Sequence, residues 1–445
     1  MIENAVQEAE FPETRVRHYK RHLVFRPHWG WAFAFCFLIL ALKNDLAEVF
    51  YPLLYNEDGR NIFGLIYNDH ALKNIFTRYS GYYQVFPMLA GYMLHFFPVT
   101  WIPSLYSLCA LSFSALTYSL FFPLLNRLFR SPGFALYSVV ILAALPLANH
   151  QLIGTLMYQV WNCVVILGVM AFLPIPKKFF LKALYLFAVN VLIWSHPYCI
   201  LLLPIYLYRL VFQKDNQWVY GVFALSALVY FGLAFNHHHT NWGSLLYFPS
   251  SLLGRVATDT VVGPLNRAWF QYLEISLIFG FLMITFVAGM IGFSWRQMKV
   301  EEKWFYVMSA YFVMVTLAVA LLGRDLGEYY HLMINSSPRY IYIARMSFLL
   351  MLMTALYRLY QTSAIFRKAH WVLAVLVLAI NSNSNVLFKT DLKEGQSVSD
   401  FVAYLDQNQL DCAPGEERWY TFRRGVWQHP GTPPDWSIPA NLCRH

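Results

Sequence analysis

The polar residues best suited to chemistry gather in two segments, each of which follows a long apolar run. The first segment contains Glu57, Asp58 and Arg60, and Asp69 and His70 come shortly after it. Adjacent carboxylates that are partly withdrawn from water repel each other, so one of them becomes a better proton acceptor or metal ligand. The alternative interpretation is a solvated loop in which the acidic residues cap a helix and pair with Arg60.

The second segment is GRDLGEYYHLMINSSPRY, which holds Arg324, His331, Arg339 and Tyr340. Arginine offers a planar fork to two phosphate oxygens, so Arg339 and Arg324 are candidate contacts for a phosphorylated substrate. Arg345 lies slightly deeper, in the next apolar run, and is a weaker candidate. The alternative is that these arginines anchor the chain at the membrane surface or pair with neighbouring acidic residues.

Histidine-rich stretches give weaker signals. In NHHHTNW, at 236–242, consecutive histidines would splay apart on a helix, which favours an interfacial polar turn over a metal site. His150 and His196 lie in short turns and are interpreted as hydrogen-bonding residues at helix ends. The chain has no glycine-rich phosphate loop, no dinucleotide fingerprint, no HExxH and no GxSxG, so direct use of ATP, NAD or nucleotide-sugars is not expected.

The composition indicates what must position these residues. Of 445 residues, 58% are hydrophobic and only 13% are charged, and the mean hydropathy is +0.43. A soluble domain carries about a quarter charged residues, so an ordinary soluble enzyme, a disordered chain and a disulfide scaffold are excluded. The apolar runs are long and continuous, which predicts membrane helices, since lipid requires every backbone hydrogen bond to be made within the protein.

We predict an all-α polytopic membrane protein with a bundle of about eleven transmembrane helices. Residues 84–97 contain Pro87 and are too few for a separate crossing, so we expect a helix that lies on or dips into the interface. The predicted spans are 29–49, 101–125, 134–149, 157–174, 180–195, 197–213, 217–236, 271–294, 304–322, 341–360 and 371–386.

The positive charges predict the orientation. Lys and Arg collect in the amino-terminal tail 1–28 and in every second connection, whereas the turns 150–156 and 195–197 have none. By the positive-inside rule the tail is cytoplasmic, and the non-cytoplasmic side receives the loops 50–100, 237–270 and 323–340. The net charge is +9, but the Lys and Arg residues are scattered between apolar runs and form no basic stripe, so a nucleic-acid partner is not expected.

The polar tail 387–445 is predicted to form a small outward cap after the transmembrane domain 29–386. It is too short and too poor in aliphatic residues for a large core. An oxidising outer compartment would permit a bridge between Cys412 and Cys443, although the sequence does not show that the two sulfurs meet.

The order of these parts resembles the GT-C superfamily, which comprises integral membrane glycosyltransferases that use polyprenyl-phosphate sugars. The resemblance rests on the long first loop, on the acidic pair followed by Arg60, and on an aromatic, Pro-containing stretch with Tyr79, Gly81, Tyr82, Tyr83 and Pro87. The layout over roughly 29–386 is similar to that of lipid A aminoarabinose transferases and protein O-mannosyltransferases. This sequence has Glu before Asp, where the family usually has the reverse, and Ser80-Gly81 in place of paired prolines.

The resemblance implies an inverting transfer of a sugar from a polyprenyl phosphate to a glycan, lipid or protein acceptor at the outer face. Asp58 or Glu57 would be the catalytic base, with Asp58 favoured. Arg60, Arg324, Arg339, Tyr340 and His331 would contact the substrates. The resemblance makes no cofactor certain and leaves a divalent metal open, and a bacterial inner membrane is the expected location. The alternative function is a transporter or flippase of lipid-linked or small polar substrates, which would place ionisable residues at mid-membrane.

Overall fold

A computed structural model of the chain describes most of its apolar core. The described residues are 27–43, 58–69, 72–79, 81–98, 101–145, 147, 150–212, 216–234, 242–262, 273–322, 338–387, 418–423 and 435–440. Cys412 and Cys443 lie outside them, and so does the HHH motif at 237–239.

Helices make up nearly all of the described chain. The α-helices are α1 Pro27–Lys43, α2 Gly64–Asp69, α3 Val85–Leu94, α4 Ile102–Ser119, α5 Phe121–Phe129, α6 Pro132–Ala144, α7 His150–Gly154, α8 Gln159–Met170, α9 Phe179–Ile193, α10 Leu203–Phe212, α11 Gln217–Ala234, α12 Phe248–Ser250, α13 Asp259–Val262, α14 Leu273–Ser294, α15 Val300–Leu322, α16 Tyr342–Thr362 and α17 Ala364–Leu387. Two π-helices, Asp58–Phe63 and Ser251–Thr258, and five 3₁₀ segments, Leu72–Phe76, Pro197–Leu202, Trp242–Tyr247, Trp295–Gln297 and Pro338–Ile341, complete the helical part.

Two small antiparallel hairpins add the strands, which the sequence analysis did not predict. The strands β1 Arg78–Tyr79 and β2 Tyr82–Tyr83 pair across a turn in which Gly81 has a φ of 86°, a backbone conformation that favours glycine. The strands β3 Arg418–Arg423 and β4 Asp435–Ala440 lie in the polar tail. β4 contacts α2 and the π-helix Asp58–Phe63, so the tail reaches the first loop.

Within the described residues, five helical segments are long and apolar enough to cross a membrane, so the chain is a helical membrane protein. They are Ile102–Phe129, Gln217–Ala234, Ile275–Gln297, Val300–Leu322 and Arg339–Thr362. Shorter apolar helices of 10–17 residues lie at most of the other predicted span positions. The assignment of these shorter helices as spans stays a prediction. The ten residues of α3 extend only about 15 Å, half of a roughly 30 Å hydrocarbon core.

The helix α16 forms the centre of the bundle. Almost every residue from Tyr342 to Arg358 is buried, as expected for a helix with neighbours on all sides. The helices α14, α15 and α17 all contact it. The 3₁₀ segment Pro338–Ile341 leads directly into α16, so this well-packed helix fixes the position of Arg339 and Tyr340.

Two contacts between distant segments bear on the topology. The Lys43 ammonium at the end of α1 donates to the carbonyl oxygens of Ala143 (3.2 Å) and Leu145 (2.8 Å) at the end of α6. These helix ends therefore lie on the same side, which requires an even number of crossings between them. With α6 crossing as predicted, Ile102–Phe129 and α6 supply two crossings, so the contact agrees with the prediction that α3 does not cross the membrane.

Single-cysteine labelling tests this topology. In a cysteine-free background, we expect Lys177→Cys and Arg296→Cys to react with an impermeant maleimide only from the cytoplasmic side, and Leu72→Cys and Leu246→Cys only from outside. All four side chains are exposed, so accessibility depends on the side of the membrane. Labelling of Lys177→Cys and Leu72→Cys from the same side would refute the eleven-span arrangement.

A buried ionic cluster lies between α16 and the segment 251–262. Arg345 donates from Nε to the Arg255 carbonyl oxygen (2.8 Å) and from Nη2 to Asp259 Oδ2 (2.6 Å). The Arg255 guanidinium is 3.9 Å from the same Asp259 oxygen. Arg345 and Asp259 have no exposed surface, and Arg255 is 4% exposed. The sequence prediction treated 237–270 as a loop, but part of it is helical and packed against the bundle.

Candidate functional site

Asp58 is fixed to a backbone turn from a distant part of the chain. It begins the first π-helix and is 3% exposed. Its Oδ2 accepts the Leu156 N–H (2.8 Å) and its Oδ1 accepts the Met157 N–H (2.7 Å). Hydrogen bonds to a charged acceptor are the stronger kind, so both stabilise the ionised carboxylate and hold the turn 155–158 in place.

A close helix contact supports the position of Asp58. A Cβ atom on Gly91 of α3 would collide with the Ile62 side chain of the π-helix, so glycine permits the two helices to approach. Ile62 belongs to an apolar cluster with Ile66, Tyr106 and Met157. The carboxylate therefore lies beside a hydrophobic core, where hydrogen-bond donors such as the Leu156 and Met157 N–H groups stabilise its charge.

The same turn carries Tyr158, which contacts Arg339. The Arg339 guanidinium carbon is 4.8 Å from the centre of the Tyr158 ring and 5.0 Å from that of the Tyr340 ring, both within cation–π range. Arg339 also donates to the Tyr158 hydroxyl and, over 3.3 Å, to the Tyr340 hydroxyl. Two aromatic side chains thus orient a partly exposed guanidinium near the turn that Asp58 holds.

Further aromatic rings extend this site. The Trp161 ring lies 5.7 Å from Tyr340 and 4.3 Å from His196, and His196 lies 5.3 Å from Tyr82, each measured between ring centres. Tyr198 packs edge-on against both Trp161 and His196. These rings connect Arg339 with the first-loop hairpin β1–β2 and with the turn before residue 197.

His196 is a neutral hydrogen-bonding residue. Its Nδ1 accepts the Tyr198 N–H over 3.2 Å, so the ring proton is on Nε2, and the side chain caps the 3₁₀ segment as expected for a helix-end residue. Burial lowers the pKa of His196 to about 3. At neutral pH the side chain can donate a hydrogen bond from Nε2, but it does not gain a positive charge.

The Tyr82 hydroxyl also keeps its proton. Burial raises the pKa of Tyr82, and the nearby Tyr340 hydroxyl raises it further, whereas the Arg339 charge lowers it. These electrostatic effects show that the three groups share one local environment. The site therefore offers a cation and protonated phenols, all of which attract an anion.

A buried polar network joins the two halves of the site. Tyr342 donates to Asn162 Oδ1 (2.8 Å), and Asn162 donates to Gln159 Oε1 (2.7 Å). Gln159 in turn donates to the Leu152 carbonyl oxygen (2.9 Å), before the turn that Asp58 holds. Satisfied buried networks are rigid. The network thus links the start of α16, which follows Arg339, to the segment that carries Tyr158.

The structure brings together three of the predicted site residues, since Asp58, Arg339 and Tyr340 all lie around the turn 155–158. Glu57, Arg324 and His331 lie outside the described residues. Arg60 lies in the π-helix, but its side chain is outside the described part. Arg345 points into the ionic cluster with Asp259 and does not join this group.

Sequence reasoning missed Tyr158 and Trp161. Both lie at the start of a predicted span, where aromatic residues are expected at a membrane interface. That expectation gives such rings an anchoring role and does not predict contact with Arg339, which is 181 residues further along the chain.

Within the described residues, no group of three or more His, Cys, Asp or Glu side chains could hold a metal ion. Glu57 is outside this set, so a metal bound by the acidic pair is still an open proposal. No family model matches the sequence, and no curated protein matches it.

Proposed function

We propose that the protein is a polytopic membrane glycosyltransferase of the GT-C type, which moves a sugar from a polyprenyl phosphate to a glycan, lipid or protein acceptor. The observation that carries this proposal is the turn 155–158. Its backbone holds the Asp58 carboxylate, and its Tyr158 side chain holds the Arg339 guanidinium. A group suited to proton transfer and a group suited to phosphate binding are therefore positioned by one structural element.

The donor phosphate would bind to Arg339. The guanidinium offers paired N–H groups to phosphate oxygens, and the tyrosines below it fix its plane. Tyr340 and Tyr82 are half-buried residues, and aromatic rings of this kind pack well against the C–H face of a sugar. A lipid-carried donor would reach the site from the membrane, so no nucleotide-binding fold is needed.

The chemistry is a single displacement. The acceptor hydroxyl oxygen bonds to the anomeric carbon as the bond from that carbon to the phosphate oxygen breaks, which inverts the configuration. The proton of the hydroxyl passes to Asp58 or Glu57, and the phosphate leaves with the bonding electrons. Each Asp58 oxygen has a second lone pair, so its two backbone hydrogen bonds do not exclude a role as base. Arg339 stabilises the charge that develops on the phosphate.

The transferase proposal is tested at Arg339. We expect Arg339→Ala to lower the release of polyprenyl phosphate from undecaprenyl-phosphate hexoses or pentoses about 10²-fold to 10³-fold, because a preorganised donor to the leaving group is lost. Arg339→Lys should recover only part of the rate, since it keeps the charge but loses the planar fork. The assay measures product release by purified protein in bilayer nanodiscs.

Arg78→Ala is the matched control. Arg78 is exposed, and its guanidinium lies 4.9 Å from the ring centre of Tyr83, so this variant also removes a guanidinium–tyrosine contact. Its activity should stay at the level of the wild type. Full transfer by a folded Arg339→Ala variant would remove Arg339 from the site.

One observation favours a second candidate, a flippase. The cluster of Arg255, Asp259 and Arg345 places ionisable groups inside the bundle, as transporters often do. We rank this function second because the three side chains contact one another and are nearly fully buried. Movement of a fluorescent polyprenyl phosphate across the membrane of proteoliposomes, without release of sugar, would rank the flippase above the transferase.

A further inference from the structure

A cavity lies at the end of the bundle opposite to Arg339. The helix α8 begins beside the candidate site, and Phe172, just beyond its other end, lines the cavity. The cavity has a volume of about 420 Å³ and lies between α5, α10 and α15. By the positive-inside rule, this is the cytoplasmic end.

The charged lining of this cavity is net positive. Its ionisable acid and base groups are Arg127, Arg209 and Glu301, which gives two positive charges and one negative charge. Arg127 donates from Nη2 to Glu301 Oε1 (2.7 Å) and from Nη1 to the Phe172 carbonyl oxygen (3.3 Å). Arg127 and Glu301 are only partly buried, so the pair is accessible to a ligand that competes for the guanidinium.

The rest of the lining is apolar and reaches the surface that a membrane would cover. Phe212 and Val300 are 70% and 66% exposed, and the Trp304 and Tyr208 rings pack together at 4.4 Å between centres. Exposed apolar groups beside a cationic pocket suit a ligand with an anionic head and hydrocarbon chains. A free phosphate ion would make no use of the apolar walls.

A narrow apolar crevice continues from the cavity into the bundle. Leu124, Phe172 and Met308 line both spaces. The crevice, of about 50 Å³, runs on past Val164 and Leu350 and has almost no polar surface. It gives a hydrocarbon chain a path inward from the cationic end.

From these contacts we propose that the cavity binds an anionic phospholipid of the adjacent leaflet. The phosphate lies at Arg127 and Arg209, and the end of one chain enters the crevice. This site is separate from the candidate transferase site, and it does not depend on the proposed sugar transfer.

Native mass spectrometry of the purified protein tests the proposal, with phosphatidylglycerol as the probe and phosphatidylcholine as the zwitterionic comparison. We expect phosphatidylglycerol to bind more tightly. Arg127→Gln and Arg209→Gln should each weaken the binding of phosphatidylglycerol about fivefold, which is the usual effect of losing one cation near an anionic lipid. Glu301→Gln should strengthen it, because this change removes the negative charge that competes for Arg127.

Arg296→Gln is the control, since Arg296 is exposed at the same end of the bundle but does not line the cavity. It should leave binding unchanged. Arg209→Gln should weaken phosphatidylglycerol binding, whereas Glu301→Gln should strengthen it. General damage to the fold would weaken binding in both variants, so this difference distinguishes a binding site from such damage. Equal binding of the two lipids, or no effect of any lining variant, would overturn the proposal. Displacement of the lipid by millimolar inorganic phosphate would instead assign the cavity to the free ion.

Discussion

Asp58→Asn is expected to lower sugar transfer about 10²-fold to 10⁴-fold, the range typical of losing an acid–base group. The substitution keeps the size of the side chain and removes the proton acceptor. Binding of the polyprenyl-phosphate donor should not weaken through charge, because the loss of a negative charge cannot reduce attraction for a phosphate. Release of polyprenyl phosphate measures the rate, and its dependence on donor concentration measures binding.

The contacts of Asp58 add a second expected effect. An asparagine presents one oxygen and one NH₂ group, so one of the two backbone N–H groups at 156 and 157 would face another donor. A buried unsatisfied donor costs about 1–3 kcal/mol, so the variant should also be less stable.

The pH dependence of the rate distinguishes a role of Asp58 as catalytic base from a purely structural role. A catalytic carboxylate gives the wild-type rate an acidic limb, and the slow residual rate of Asp58→Asn should lack it.

The Glu57→Gln variant shows what Glu57 contributes beside Asp58. A milder loss than that of Asp58→Asn would mean that Glu57 orients or tunes its neighbour, whereas equal losses would indicate a shared metal or a coupled pair. Asp69→Asn, a carboxylate-to-amide change in the same loop, is the matched control. Unimpaired transfer by the folded double variant Glu57→Gln, Asp58→Asn would refute the proposed mechanism.

Helix positions could be predicted from the sequence because lipid imposes a strong constraint on backbone polar groups. The span predicted at 217–236 is α11, Gln217–Ala234, and the span at 304–322 lies within α15. The short strands β3 and β4 could not be predicted in this way, since paired strands in a polar tail depend on contacts with other segments such as α2.

The candidate site was only partly predictable for a related reason. Asp58 and Arg339 stand out because charged residues next to apolar runs are unusual. Their partners are the Leu156 and Met157 backbone N–H groups and the Tyr158 ring, and no residue type signals a backbone donor that serves a carboxylate 98 residues earlier. Those contacts arise from the packing of the helices.

The segment 251–262 gave no signal of its buried charges. SLLGRVATDTVV has only two charged residues and fits an outward loop as well as a packed helix. It packs so closely on α14 that a Cβ on Gly280 would collide with the Leu253 backbone. The approach that this glycine permits helps to hold Arg255 and Asp259 inside the protein, against α16.

Asp259→Asn is expected to destabilise the protein by about 3–5 kcal/mol, the usual loss when one partner of a buried ion pair is removed. The change leaves the buried Arg255 and Arg345 charges without their shared anion. Arg345→Met should cost less, because Asp259 keeps the Arg255 guanidinium at 3.9 Å. Unfolding free energies from detergent titration, measured for all variants in the same lipid–detergent mixture, give the comparison.

Glu302→Gln provides a scale for this effect, since Glu302 forms the other strongly buried pair among the described residues, with Arg358 at 2.6 Å. Those side chains are 9–10% exposed, so water can solvate the charge that is left behind, and the loss should be smaller than for Asp259→Asn. Equal losses for the two variants, or a larger loss for Arg345→Met than for Asp259→Asn, would contradict the shared-anion arrangement.

Because Arg339 lies only one and a half turns before Arg345, a folded Asp259→Asn variant should also transfer sugar more slowly. That slowing should depend on Arg339, so Asp259→Asn should reduce the activity of Arg339→Ala much less than it reduces that of the wild type.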